Sequence, residues 1–463
     1  MPSLYQKLLI ECNSVLLQED HFTLPDEMVL QSLWFAGGLG NTFETTEGRA
    51  VKITQFGFWN KSAGPDFLHC GIELDGVSLT GDIELDHSAK HWSLHEHHLN
   101  PCFENVILHV SFEKEEQTTF IKTEKNKNIV RVIIPEELLQ PSVNQLRNDN
   151  NASAHPGRCA TPLENASLTQ IDKLLSSAAK YRLQQKAKRF NNLTNTHGKD
   201  QALWVAIGET LGYKKNTFTF HSLCQRIPIK DLKKHSEQEI LSILFGACGF
   251  LHPKIHEQAA HDSKQWLESL WETWWQLRQN YEFSDQKQLK WDFSSIRPVN
   301  HPQRRLAALA KIAYQWDKIR QYSDQKELKK NLTSLNDPFW NHHYTLTSKP
   351  SPRNLALIGA SRVDELFANH LLPVSISYAK EIAWQEYTAL KAPAVSEKVN
   401  RAAIRLFGKR KDQSGLLNKA WQHQALLQIY QDFCLEHLSG CENCPFPEKL
   451  KQWAEQSDDY YMS

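Results

Sequence analysis

Asp75-Gly76 stands between two runs of strand-forming residues, Phe67 to Leu74 and Val77 to Leu85. Both turn residues tolerate positive φ, as a two-residue hairpin demands, so the flanking runs predict an antiparallel pair. One end of that pair is crowded with acid: Asp66 precedes the first run, and Asp82, Glu84 and Asp86 alternate along the second and share a face. Like charges so close raise one another's pKa unless something positive sits among them. The cluster fits a divalent-metal site or a solvated strand edge. A tight turn pairs Leu74 with Val77, and counting outward pairs Asp66 with Leu85, which sends Asp66 to the wrong face. A metal site therefore requires a bulge, for which Gly71 is the natural place, or an Asp66 that leaves the strand.

Helical periodicity covers 4–18 and 26–35, and further strands are predicted over 50–56, 105–113 and 129–134. The run 146–157 is polar, contains proline and glycine, lacks a period and reads as a linker. Beyond it almost everything is helical, including 170–190, 200–211, 231–244, 264–280 and 304–322. The expected fold class is α+β, a mixed-sheet domain over 1–148 followed by a large all-α region over 158–463, of one or two subdomains. A chain of 463 residues is long enough for two or three cores. Its 53 basic and 53 acidic side chains cancel, so contact with a polyanion has to come from a local patch. No window reaches the ~18 apolar residues of a membrane span, and Lys7 and Glu11 interrupt the apolar N-terminal stretch, so a cytoplasmic protein without a membrane partner is expected.

Three other segments carry chemistry. If residues 87–98 are helical, His87, His91, His95 and His98 share one face, and imidazoles so placed can ligate zinc, merely titrate on a surface, or bring His95 or His98 to the acidic hairpin as a general acid or phosphate donor. His109, on a strand face with Ile107, points into the same cleft or serves as a hydrogen-bonded core residue. Cys434, Cys441 and Cys444 stand at spacings of six and two beside Gly440 and Pro445, a pattern suited to folding around a soft metal. Cys159, just after the linker, is the candidate fourth ligand, and the remaining five cysteines read as inert thiols. In Ile296 to Leu306, Pro302 suits a helix start, and Arg297, Arg304 and Arg305 either grip phosphate at its N-terminus or pair with acids of a neighbouring domain.

Gly64-Pro65-Asp66-Phe67 before one strand and Asp82-Ile83-Glu84-Leu85-Asp86 at the end of the next resemble the PD-(D/E)xK nuclease core. The resemblance implies that Asp66 and Glu84 hold Mg²⁺ or Mn²⁺, with Asp82 or Asp86 completing the site, and that a lysine two residues after the second acid helps activate water. Asp86 occupies that lysine's position, and Lys90, one turn further on, is the candidate replacement. The cysteine trio resembles the first three ligands of the iron-sulfur loop in helix-hairpin-helix DNA glycosylases, with Leu450 at the fourth position. It also resembles the cluster staple of certain helicase-associated nucleases, which implies a [4Fe-4S] cluster or Zn²⁺. Taken together, Ala63 to Phe67, Gly81 to Glu84, His95 to His98, Asn105 to Val110, Phe245 to Leu251, Arg297 to Asn300 with Arg305 to Ala307, and the trio resemble an uncharacterised bacterial family, domain-of-unknown-function family 2851. The sequence departs from its pattern at Asp86 and His91.

These readings converge on a metal-dependent phosphodiester hydrolase, a nuclease acting on DNA or RNA. The alternatives are a non-catalytic nucleic-acid or protein-binding module and a zinc hydrolase using the histidine-rich segment.

Overall fold

Among the described residues, seven strands form one sheet: β1 (Thr42–Glu44), β2 (Ala50–Gln55), β3 (Phe58–Trp59), β4 (Phe67–Leu74), β5 (Val77–Leu85), β6 (Val106–Ser111) and β7 (Val130–Ile133). This computed structural model describes residues 3–16, 24–60, 63–113, 121–139, 161–213, 215–284, 287–294, 296–322, 324–393, 395–410, 412–435 and 444–459. The sheet order is β1-β2-β4-β5-β6-β7, with β3 alongside β4. β2, β4 and β5 run antiparallel, whereas β5, β6 and β7 are parallel, so the sheet is mixed. Asp75 and Gly76 take φ of 49° and 82°, and Leu74 faces Val77, which is the turn their chemistry favours.

Parallel pairing of β5 with β6 needs a crossover. Helix α1 (Leu4–Leu16) and helix α2 (Glu27–Phe35) precede the sheet, and α3 (Lys90–Leu94) opens the crossover. Two 3₁₀ turns, His97–Leu99 and Pro101–Phe103, complete it. Leu30, Leu33, Trp34 and Phe35 of α2 pack with Phe67, Ile83, Leu85, Leu108 and Val110 in the main core. Trp92 and Phe103 of the crossover join Ala89, Val106, Ile121 and Ile129 in a second cluster. Gly81 lets β5 and β6 approach at the acidic end: a Cβ there would stand 2.5 Å from the Asn105 carbonyl oxygen.

From Leu168 onward the described elements are helical, so the chain is α+β as its periodicity predicts. Two predicted helices are each divided. The 231–244 run becomes Ile229–Leu232 and Glu237–Ala247 because Ser236 starts a new helix, accepting from Glu239 N while the Glu239 side chain reaches back. The 304–322 run becomes Pro302–Tyr314 and Trp316–Arg320.

The chain divides into two compact units. One comprises Phe22–Asn148 and Arg189–Phe367 and contains the whole sheet. The other comprises Met1–His21, Asp149–Lys188 and Ala368–Ser463. There, Tyr5 of α1 donates its hydroxyl proton to Asp432 at 2.7 Å, and Phe433 stacks on Phe446. The 146–157 linker expected from sequence lies outside the described residues. No helix among the described residues is long and apolar enough to cross a membrane.

Candidate metal centre

The open end of the hairpin gathers the carboxylates. Its register runs regularly from Leu74–Val77 to Cys70–Gly81 and then shifts, so that Phe67 faces Ile83. Two residues, Leu68 and His69, thus oppose the single Asp82: a bulge, with His69 at φ 55°. Asp82 is consumed in holding it, its Oδ1 accepting from His69 N at 3.0 Å. Gly71, where the bulge is expected from sequence, instead faces a second irregularity, in β2 between Ile53 and Gln55.

The shift brings Asp66 opposite Glu84. Asp66 N donates to Glu84 Oε2 at 2.9 Å, and Leu85 N donates to Asp66 Oδ2 at 3.2 Å. Asn60 fixes the approach, its amide donating to Pro65 O and its backbone N–H to Asp66 O, each at 2.8 Å. Asp86 lies just past β5, with Oδ2 3.0 Å from His109 Nε2 and Oδ1 3.6 Å from His95 Nδ1. Glu84 Oε1 lies 3.7 Å from His97 Nδ1. One ligand atom each from Glu84, Asp86 and His97 falls within 4.8 Å of the others.

These acids are buried: Asp66, Glu84 and Asp86 are 3 %, 6 % and 2 % exposed. Burial raises the Glu84 pKa well above its usual value, and the Asp66 and Asp86 charges add to the rise. Asp66 is also raised by burial, against the opposing pull of Lys287. Lys287, from the helical part of the same unit, places Nζ 3.4 Å from Asp66 Oδ1. Arg226 anchors it by donating to the Lys287 carbonyl, with its guanidinium 5.0 Å from the Trp59 ring centroid. Glu27, in the first turn of α2, is pushed up to about 7, by burial first and then by the Asp66 and Asp86 charges. His97 is lowered to about 4 by burial, against the Asp86 charge. The chemistry available is that of hard oxygen donors in excess of local positive charge, with imidazoles at the rim.

The histidine segment does not form one helix. α3 ends at Leu94, and Glu96 takes the left-handed conformation at φ 56°. This break turns His97, rather than His98, toward the acids, where its ring stacks on Phe103 at 4.0 Å between centroids. His91 and His95 still stack, at 5.2 Å, and the His95 side chain is 46 % exposed. Lys90 is exposed at the first residue of α3, so the cation beside Asp66 is Lys287 and not the expected local lysine. Nothing in the local sequence signals Lys287, because its relation to Asp66 exists only in the fold. Glu27 resembles any acid complementing a helix N-terminus.

Arg304 and Arg305 do not face solvent. Arg304 donates to the carbonyls of Trp340, His343, Leu355 and Ala356, and Arg305 to those of Leu357 and Val299, to Asn300 Oδ1 and to the Tyr213 hydroxyl. Of the expected phosphate-binding arginines, only Arg297 stays exposed. Cys434 and Cys444 are partly buried, and Cys444 Sγ lies 3.9 Å from Phe433 O. Cys159 and Cys441 lie outside the described residues. Cys12, read as inert, has its thiol pushed up to about 12 by burial first and the Cys444 thiol second.

No curated protein and no solved structure matches the chain. A family model described as "Protein of unknown function (DUF2851)" matches residues 27–399, which include the sheet, the carboxylates, His97 and Lys287. With most of its length matched, the chain belongs to the DUF2851 family.

Proposed function

We propose that this protein is a metal-dependent phosphodiester hydrolase, a nuclease acting on DNA or RNA. The observation that carries the reading is the meeting of Asp66 and Glu84 across the bulged end of the hairpin, with Lys287 Nζ 3.4 Å from Asp66. An acid before one strand and an acid late in the next resemble the PD-(D/E)xK core, in which such a pair holds Mg²⁺ or Mn²⁺ and a lysine helps activate water. Lys287 supplies the ammonium that the hairpin itself lacks at Asp86.

In this reading Asp66 and Glu84 hold the cation and Asp86 orients or completes the site. When bound, the cation neutralises charge growing on the phosphoryl oxygens and eases deprotonation of water. Lys287 steadies the Asp66 carboxylate, and Asp82 keeps the bulge that makes the pairing possible. His95, half exposed and 3.6 Å from Asp86, is placed to pass a proton between solvent and the site. Contact with nucleic acid does not rest on Arg304 and Arg305, which are buried and whose terminal guanidinium nitrogens donate to carbonyls and side-chain oxygens. The C-terminal cysteines enter the same proposal as a structural clamp around a [4Fe-4S] cluster or Zn²⁺. Iron or zinc in protein purified without air is the measurement for that part.

The test is hydrolysis of labelled DNA and RNA oligonucleotides with Mg²⁺ or Mn²⁺ by the whole chain, beside Asp66→Ala and Glu84→Ala. Cleavage should vanish in both variants while oligonucleotide binding persists. Activity surviving both substitutions ends the proposal. A second reading, a non-catalytic binding module, is favoured by the deep burial of Asp66 and Glu84. Binding without cleavage under every metal selects it.

A further inference from the structure

The two atoms facing each other at the rim of the acidic cluster are an oxygen and a nitrogen. Glu84 Oε1 and His97 Nδ1 lie 3.7 Å apart, beyond hydrogen-bond reach. His97 Nδ1 is buried without a hydrogen-bond partner, and the Glu84 side chain is only 7 % exposed. The bond described for the Glu84 carboxylate, from Asp66 N, uses Oε2 and leaves Oε1 toward the imidazole. A buried acceptor aimed at an unpartnered ring nitrogen is costly unless something joins them. Ligand atoms each about 2.1 Å from a common ion at tetrahedral angles stand about 3.4 Å apart, close enough to this gap for a small side-chain rotation to close it.

The surroundings hold that pair in place. His97 is wedged by the Phe103 stack and the edge of Trp92, 5.2 Å between centroids. Asp86, the third member of the cluster, is oriented by His109, itself fully buried, which engages Oδ2 at 3.0 Å. An imidazole or carboxylate braced behind a carboxylate ligand is the usual outer support of a metal site.

We infer that Glu84, Asp86 and His97 form a mixed oxygen and nitrogen site that takes a divalent transition metal, of the class of Mn²⁺, Fe²⁺ or Zn²⁺, in preference to Mg²⁺. The inference rests on the reading that the hairpin's carboxylates hold a cation, and it sharpens which cation. Mg²⁺ keeps oxygen ligands and water, whereas imidazole suits the transition metals. An all-oxygen site at the same place would show little discrimination of this kind.

The experiment titrates the metal-free full chain with Mn²⁺ and records pulsed electron paramagnetic resonance. The bound ion should carry nitrogen coupling from an imidazole, changed in frequency pattern when the histidines are ¹⁵N-labelled. The coupling should disappear in His97→Ala, and preference for Mn²⁺ over Mg²⁺ should fall by about tenfold or more. His256→Ala, at a histidine of the helix Pro253–Gln258 that pairs with Glu268 and is no member of the cluster, serves as control and should leave the spectrum alone. Bound Mn²⁺ without nitrogen coupling overturns the inference while leaving an oxygen-held metal, and so the proposed function, standing. Nitrogen coupling that persists unchanged in folded His97→Ala overturns it as well. Absence of Mn²⁺ binding together with absence of cleavage in any metal takes down both. Because the wild-type spectrum already reads nitrogen or no nitrogen, a misfolded variant does not spare the inference.

Discussion

Two places in this molecule bury charge, and they do so in opposite ways. At the helix Pro302–Tyr314, Arg304 and Arg305 are sunk in the interior with most of their donors spent on carbonyl oxygens. At the hairpin, Asp66, Glu84 and Asp86 are buried as deeply, and the carboxyls of Asp66 and Glu84 are raised by burial first and by neighbouring carboxylate charge after it, with Lys287 pulling the other way. The first arrangement is nearly closed on itself, its terminal guanidinium nitrogens spent on neighbouring oxygens. The second is incomplete, and it is on this incompleteness that the proposed centre rests. A buried charge is therefore read by the balance around it, not by its burial.

The largest expected effect breaks the closed side of this contrast. Arg304→Met strands the carbonyls of Trp340, His343, Leu355 and Ala356, and should cost about 4 kcal/mol or more in chemical denaturation. The slope of stability against pH near neutrality should stay as it was.

On the open side the pH slope is the signature. The folded value of Glu27 is raised from 4.5 to about 7, and Asp66 and Glu84 move in the same direction. Between the unfolded and folded values the native chain holds the extra proton, so stability is full below the unfolded value and is lost as pH rises through the folded one. Metal-free protein should therefore melt at progressively lower temperature from about pH 5 to pH 8, and Glu27→Gln should flatten that fall. A divalent cation at a hundred times its dissociation constant should return about 2.7 kcal/mol at the alkaline end. A melting temperature that rises across this window breaks the contrast.

The smallest effect sharpens it. Lys90→Ala, at an exposed helix start, should change stability by no more than about 0.5 kcal/mol and leave any hydrolysis intact. Lys287→Met should cut hydrolysis by about a hundredfold. Equal losses from the two lysines would remove Lys287 from the centre.

How much of this was legible depends on range along the chain. The hairpin, its turn and the need for a displaced register follow from local chemistry, since Asp75-Gly76 admits few alternatives and alternation fixes the faces. The position of the bulge does not, because Asp82 stabilises it at His69 with a cross-strand bond that no window of sequence contains. His97 displaces His98 because Glu96 adopts a left-handed backbone that helical periodicity does not foresee. Arg304-Arg305 at a helix start suggests phosphate or a neighbouring acid as partner, whereas the small residues after it, Ala307, Ala308 and Ala310, let the helix sink into the core, where carbonyls take the guanidinium groups. Lys287 and Glu27 reach the hairpin only through tertiary structure.

The distance in sequence between Lys287 and the hairpin has a consequence in time. A ribosome adding roughly 5–20 residues per second releases the acids first and the lysine about 200 residues later, an interval of roughly 10–40 s. During it the nascent hairpin stands without the ammonium that lies beside Asp66 in the folded chain. The proposed centre is thus completed late in synthesis, after much of the unit that contains the sheet has been made.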